Sequence, residues 1–149
     1  MSDEELMHEA VKEAKDGNTP FGCIISRDGQ VVAKAYNTVM RDHDPTEHAE
    51  MNTLRAVCRR YNRGERREMT VYTTCEPCPM CMSALLFGGF NKIIYGTDIP
   101  TASLYTNQID IRCDDIADRS GVEVSIKGGM LEADCRNLFE EFSKKKEGN

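Results

Sequence analysis

At 149 residues the chain is long enough to bury a sizeable core in one domain, residues 1–149, without disulfide staples. Its formal net charge of −6 argues against a surface built to wrap nucleic-acid phosphates. It contains no run of about 18 apolar residues, and Met1-Ser2-Asp3-Glu4-Glu5 has neither a basic nor an apolar leader region, so a cytoplasmic, soluble protein with no membrane segment is expected.

Residues 2–17 predict a helix, because Ser2 and Glu5 have capping-box spacing, Leu6, Met7, Ala10, Val11 and Ala14 form an apolar stripe, and Gly17 ends it. Strands are expected at Phe21–Ser26 and Val31–Tyr36, joined by Asp28-Gly29 as a tight hairpin. Over residues 47–61 the spacing of Met51, Leu54, Val57, Cys58 and Tyr61 is helical, with Gly64 beyond as a stop. Arg55, Arg59, Arg60, Arg63, Arg66 and Arg67 make a local basic cluster, but Glu65 and Glu68 interrupt it and a solvated helix face is the plainer reading. Met69–Thr74 reads as a strand, Met80–Phe87 as a short helix, and Lys92–Gly96 and Val122–Ile126 as two more strands. Leu131–Phe142 closes the chain as an amphipathic helix with Leu138, Phe139 and Phe142 inward, and the tail KKKEGN, residues 144–149, is expected to fray. Strands alternating with helices from residue 47 onward imply a parallel arrangement covered on both faces, with only the opening pair antiparallel. The sequence shows no internal repeat or low-complexity tract.

The seven cysteines are an odd number, and in a reducing compartment they read as thiols or thiolates rather than cystines. Three of them fall in TTCEPCPMC, residues 73–81. A strand followed by Pro77 and a helix puts Cys78 and Cys81 in a first turn, three apart on one face, where helix-terminal N–H groups favour thiolates. A third ligand must come from elsewhere. His8 and His43 lie in polar surroundings, which leaves His48 in DPTEHAE. Residues two apart do not share a helix face, so His48 and Glu50 converge only where a helix begins and points end-on at a metal; Asp44-Pro45-Thr46 supplies that beginning. One histidine and two cysteines leave a coordination position open, the arrangement of catalytic zinc. Zinc lowers the pKa of bound water from about 15.7 to about 7, and two thiolates weaken that effect, so a neighbouring carboxylate is needed for the proton. Glu50 is placed for this role. The competing reading is a closed structural site of Cys75, Cys78, Cys81 and His48, which leaves Glu50 without a task.

The pair His48-Ala49-Glu50 and Pro77-Cys78-Pro79-Met80-Cys81 matches the H-x-E with P-C-x-x-C signature of zinc deaminases. Along nearly its whole length the chain resembles the cytidine-deaminase-like superfamily, and DPTEHAE with CEPCPMC is similar to its branch of guanine, fungal-type cytosine and tRNA adenosine deaminases. The resemblance implies a three-layer α-β-α sandwich around a five-stranded mixed sheet, one Zn2+ per chain, and a homodimer or higher homo-oligomer. TPFGCII is similar to the opening of guanine deaminases. By that likeness Asn37 hydrogen-bonds the substrate ring, Phe21 lines the pocket and the Ala49 backbone N–H meets the substrate. Asn37 also has a local reading, as a strand-end residue bonding its own backbone. The stretch GTDIPTASLYTNQIDIRCDD differs from the Gly-rich loop of tRNA adenosine deaminases, and SKKKEGN lacks the aromatic end of guanine deaminases. Tyr105, Asp114 and Asp115 are candidate substitutes for the missing contacts, or plain surface residues.

The expected activity is hydrolytic deamination of a nucleobase or related amino-heterocycle, of guanine or cytosine type. A tRNA adenosine-to-inosine deaminase keeps the same site but needs a basic docking surface, so tRNA is the disfavoured partner. From another class stands a non-catalytic zinc-stabilised binding module, against which Glu50 argues.

Overall fold

Strand residues alternate between two faces, and in this chain both faces are apolar. Ile24, Tyr72 and Ile94 turn to one side, and Cys23, Ile25, Val71, Ile93 and Tyr95 to the other. A sheet of that kind must be covered twice, and the chain supplies the helices. The computed structural model describes residues 1–147, with side chains to 145.

In chain order the elements are α1 (Asp3–Asp16), β1 (Gly22–Arg27), β2 (Gln30–Tyr36), α2 (Val39–Asp42), α3 (Ala49–Cys58), α4 (Arg63–Arg66), β3 (Met69–Cys75), α5 (Pro79–Phe87), β4 (Lys92–Thr97), α6 (Ile99–Ala102), α7 (Cys113–Ser120), β5 (Ser125–Lys127) and α8 (Glu132–Glu147). The five-stranded mixed sheet has the order β2-β1-β3-β4-β5. On one face α1 and α8 bury Leu6, Met7, Ala10, Ala14, Cys135 and Leu138. On the other, α3, α5 and α7 bury Ala49, Val57, Met82, Leu85, Cys113 and Ala117.

The expected capping box at Ser2 and Glu5 is present. The hairpin turn at Asp28 and Gly29 has positive φ at both residues, 51° and 74°. Gly17 ends α1 for a different reason than expected. It stays right-handed, Asn18 takes the positive φ, and a Cβ at Gly17 would lie 2.2 Å from the Tyr36 ring.

Four expectations are corrected. The opening pair is not alone in being antiparallel, since β1 also pairs antiparallel with β3 while β3, β4 and β5 run parallel. The connection through α3 carries the chain past β1, so β2 and β3 run the same way with β1 between them. The last strand begins at Ser125 rather than Val122. α7 occupies part of a stretch for which the sequence suggested no element. The tail does not fray at residue 144: α8 continues to Glu147, and Lys145 Nζ donates to Asn18 Oδ1 at 2.6 Å. Gly148 and Asn149 lie outside the described residues.

This topology gathers chain segments at one sheet edge. Strands β2, β3 and β4 all end there, and antiparallel β1 starts there, so Asn37, Glu76, Asp98 and Phe21 are the first residues beyond the strands on that side. In open α/β sheets the carboxyl ends of parallel strands are where ligands bind.

Close approach of α1 to β1 gives a stability test. A Cβ at Gly22 would sit 2.2 Å from the Ala10 carbonyl oxygen and 2.6 Å from the Ala14 nitrogen, both backbone atoms that cannot rotate away. Gly22→Ala should cost about 1–3 kcal/mol in urea unfolding. Gly64→Ala, within α4, where a Cβ would lie 3.4 Å from Oδ1 of the N-cap Asn62, should be neutral or stabilise by about 0.5–1 kcal/mol. Equal effects of the two substitutions would contradict the packing described.

Candidate active site at two helix starts

Two helices begin at this edge with their N-termini converging. His48 is the N-cap of α3 and uses its side chain for no capping bond, so the imidazole is free. Cys78 is the N-cap of α5, Pro79 opens the helix, and Cys81 follows one turn later. His48 Nδ1 lies 3.5 Å from both Cys78 Sγ and Cys81 Sγ, and the three donor atoms all fall within 4.8 Å of one another. Tetrahedral zinc with ordinary Zn–N and Zn–S bonds separates a nitrogen from a sulfur by about 3.6 Å. The donor set therefore fits zinc in both type and spacing.

The electrostatics point the same way. The Cys81 thiol, donating to Cys78, draws the Cys78 thiol down to about 4 against the cost of burial, and His48 works in the same direction. Its interaction with Cys78 pushes Cys81 far up, and burial adds to the shift. The Cys78 partner raises His48. Burial lifts the Glu50 carboxyl to about 7, with Cys78 adding to the push and His48 opposing it. A cation among these donors removes the need for a proton on the second thiol.

A cavity of about 350 Å³ opens on these groups. His48, Glu50, Cys78, Phe21 and Asn37 line it, together with Pro45, Cys75, Glu76, Met80 and the run Thr106–Ile109. Phe21 is braced from behind by Phe139 of α8, in an edge-to-face contact with ring centroids 5.4 Å apart. The start of α3 is fixed to the end of β2 by Asn52, whose amide donates to the Tyr36 carbonyl at 3.0 Å and to Thr38 Oγ1 at 2.9 Å. Thr38 in turn donates its backbone N–H to the Glu47 carbonyl at 3.0 Å.

Residues 1–97 match the family model described as the cytidine and deoxycytidylate deaminase zinc-binding region. The chain belongs to this family. It is 29% identical over 152 residues to a tRNA-specific adenosine deaminase of Bacillus subtilis, an alignment covering 97% of this chain and 92% of the relative. To the guanine deaminase of Bacillus subtilis it is 33% identical over 103 residues, 66% of each chain. A solved guanine deaminase from Nitrosomonas europaea superposes with a TM-score of 0.82 over 96% of this chain and 85% of that one, at 16% identity, a likeness of fold. Zinc is the metal of this family, and His48, Cys78 and Cys81 are the residues placed to hold it.

Other members of the expected site fall differently. The Ala49 side chain is buried in the core, so only its backbone can face a substrate. Asn37 fulfils its local reading with one atom: its Oδ1 accepts from the Val39 N–H at 2.9 Å. That bond orients the amide and leaves the Nδ2 donor group for the cavity. Cys75, at the end of β3, lines the cavity but stands outside the three-donor cluster. Tyr105 packs on Phe139 with ring centroids 5.9 Å apart, and Asp114 and Asp115 are exposed on α7; none of the three lines the cavity. The wall is instead Thr106–Ile109, which sequence reasoning missed. A clue lay in its neighbourhood, a polar Thr-Asn-Gln run followed by an isoleucine between two helix starts.

The three-donor geometry gives a metal test. Cys75→Ser should keep zinc at the wild-type level in elemental analysis, whereas Cys78→Ser should lose most of it. Equal loss in both would restore the closed four-ligand site.

Proposed function

We propose that residues 1–149 form a single zinc-dependent deaminase domain that hydrolyses the amino group of a small amino-heterocycle, guanine or cytosine being the leading types, with release of ammonia. The reading includes a homodimer, as the family resemblance implies, and a cytoplasmic location, as expected from the sequence. The observation that carries the substrate class is the wall Thr106–Ile109, which shares one cavity with Phe21, Asn37 and Glu50 and makes a space suited to a planar ring.

In this reading His48, Cys78 and Cys81 hold the metal. When bound, zinc supplies Lewis-acid activation of a water. Glu50, at the second position of α3, takes a proton from the attacking water. It delivers the proton to the ring nitrogen beside the amine-bearing carbon, and then assists departure of ammonia. Burial raises the proton affinity of its carboxyl, and a bound zinc ion would oppose that shift. Asn37 offers its Nδ2 hydrogens, so the substrate edge beside it must be an acceptor, a ring nitrogen or a carbonyl. Phe21 packs against the ring and the Ala49 N–H meets a substrate oxygen or nitrogen.

A second reading, a tRNA adenosine-to-inosine deaminase, is favoured by the alignment to the tRNA-specific enzyme over 97% of the chain. Against it stands the use of half of the arginine cluster, although Arg59, Arg60 and Arg67 stay exposed. Arg55 is spent on Thr46 Oγ1 and Asn52 Oδ1, Arg63 on the Phe87 carbonyl, and Arg66 on the Gly88 and Tyr61 carbonyls. Guanidinium groups committed to protein carbonyls are poorly placed to neutralise phosphates.

Ammonia release should be detectable with at least one free base or amino-azine, guanine tested first and cytosine second. Inertness on all free bases and nucleosides, with conversion of adenosine to inosine in a tRNA anticodon loop, would establish the second reading. Asn37→Ala should lower kcat/KM on the small substrate by about 1–3 kcal/mol in transition-state terms.

Glu50→Gln should retain zinc and the fold while turnover drops about 10²–10⁴-fold. Near-normal turnover in this variant would remove Glu50 from the mechanism and reopen the case for a binding module.

A further inference from the structure

Glu76 lies two residues before Cys78, and its side chain has no solvent exposure. A carboxylate is costly to bury unless every lone pair is used. Here the donors come from one distant stretch of chain. The Ile99 N–H donates to Oε1 at 2.9 Å and the Cys113 N–H to Oε2 at 2.8 Å. Arg112 Nε reaches both oxygens, at 2.9 and 3.0 Å. Ile99 is the first residue of α6 and Cys113 the first of α7. One carboxylate therefore holds both ends of the segment 99–113.

Between those two points, residues 103–112 contain no helix or strand, yet Thr106, Asn107, Gln108 and Ile109 form a wall of the cavity. Its first residue is tied to α6, since the Thr106 N–H and Oγ1 donate to the Ala102 carbonyl at 3.0 and 3.2 Å, whereas Asn107, Gln108 and Ile109 make no described hydrogen bond to a helix or strand. Gln108 Nε2 donates to Thr106 Oγ1 at 3.0 Å and the Ile111 N–H to the Ile109 carbonyl at 2.8 Å, both within the segment. At its start α6 is also capped by Asp98, whose Oδ1 accepts from the Thr101 N–H and whose carbonyl accepts from the Ala102 N–H, both at 2.9 Å. Beyond that cap, the clamp and the first turn of α7, the described polar ties of the segment are Tyr105 Oη to Glu140 and Arg112 Nη2 to Tyr95 Oη, each 3.4 Å. The clamp is also rooted in the sheet, since the Glu76 N–H donates to the Thr97 carbonyl at 2.8 Å.

We infer that Glu76, with Arg112, is a positioning residue for substrate binding: it fixes the 99–113 segment so that Thr106–Ile109 stand over the metal site. The inference rests on the small-heterocycle reading above for its kinetic consequence, but not for its structural one. Glu50, His48 and Cys81 lie at the starts of α3 and α5, whose Ala49, Val57, Met82 and Leu85 are buried in one core with the strand residues Val71 and Ile93, although α5 also packs on α7. Loosening the clamp should therefore reach substrate affinity before the chemical step. Glutamine at position 76 keeps the size but presents an amide N–H2 where two backbone N–H groups and a guanidinium all need acceptors.

The test uses zinc-loaded full chain as wild type, Glu76→Gln and Arg112→Gln. Hydrogen exchange should accelerate by about tenfold or more over 99–113 in both variants, with α3 and α5 unchanged. Zinc should remain at one per chain. On the small substrate found by ammonia release, KM should rise by about tenfold while kcat stays within about threefold. Unchanged exchange over 99–113, loss of zinc, or a fall in kcat at constant KM would overturn the inference. If no small substrate is turned over by wild type, the substrate reading fails, and the exchange measurement still decides the clamp. If Glu76→Gln does not fold, Arg112→Gln decides it alone, because Arg112 is 38% exposed and its removal leaves both backbone donors in place.

Discussion

Everything at the site depends on two helices beginning at the same point. His48 and Cys78 are the N-caps of α3 and α5, and only at a helix start can residues two apart, such as His48 and Glu50, both turn to one centre. The converging N-terminal N–H groups favour negative charge, which is what two thiolates and a carboxylate require. Zinc held by His48, Cys78 and Cys81 would join the start of α3 to the start of α5 on one face of the sheet. Such a metal would be a structural tie as well as the source of the proposed reactivity, linking fold and chemistry through the same three side chains.

The sheet order makes this convergence possible. With β1 inserted antiparallel between β2 and β3, the segments after β2, β3 and β4 and the segment before β1 all arrive at one edge. Each contributes a distinct function: an amide from the end of β2, metal ligands and a buried carboxylate from beyond β3, a cavity wall from beyond β4, and an aromatic side from before β1. Phe21 in turn leans on Phe139, so α8 shapes the cavity without lining it.

The metal cluster was legible in the sequence because its signal is local and chemically scarce: one suitable histidine, one P-C-x-x-C, and helix-start residues before each. The sheet was legible too, because β-branched runs at Met69–Cys75 and Lys92–Thr97 alternate with apolar helical patterns. The second antiparallel pairing was not, since pairing partners far apart in sequence are set by the crossover and not by either strand. α7 escaped notice because it is short and highly charged: its single stripe is Cys113, Ile116 and Ala117, among eight residues that include Asp114, Asp115, Asp118 and Arg119. The cavity wall at Thr106–Ile109 was hidden for a related reason: it has no periodicity, and what holds it in place is a glutamate some 20 to 40 residues earlier in the chain. Glu76, the most heavily bonded carboxylate near the site, carried no sequence signal that singled it out.

The central claim is that the metal has three protein ligands and one open position. Zinc-edge X-ray absorption on the purified protein measures that coordination directly. The account predicts two sulfur scatterers at about 2.3 Å and two nitrogen or oxygen scatterers at about 2.0–2.2 Å, one from His48 and one from solvent. Three sulfur scatterers and a single nitrogen would contradict it, because that shell is closed and leaves no place for a reacting water.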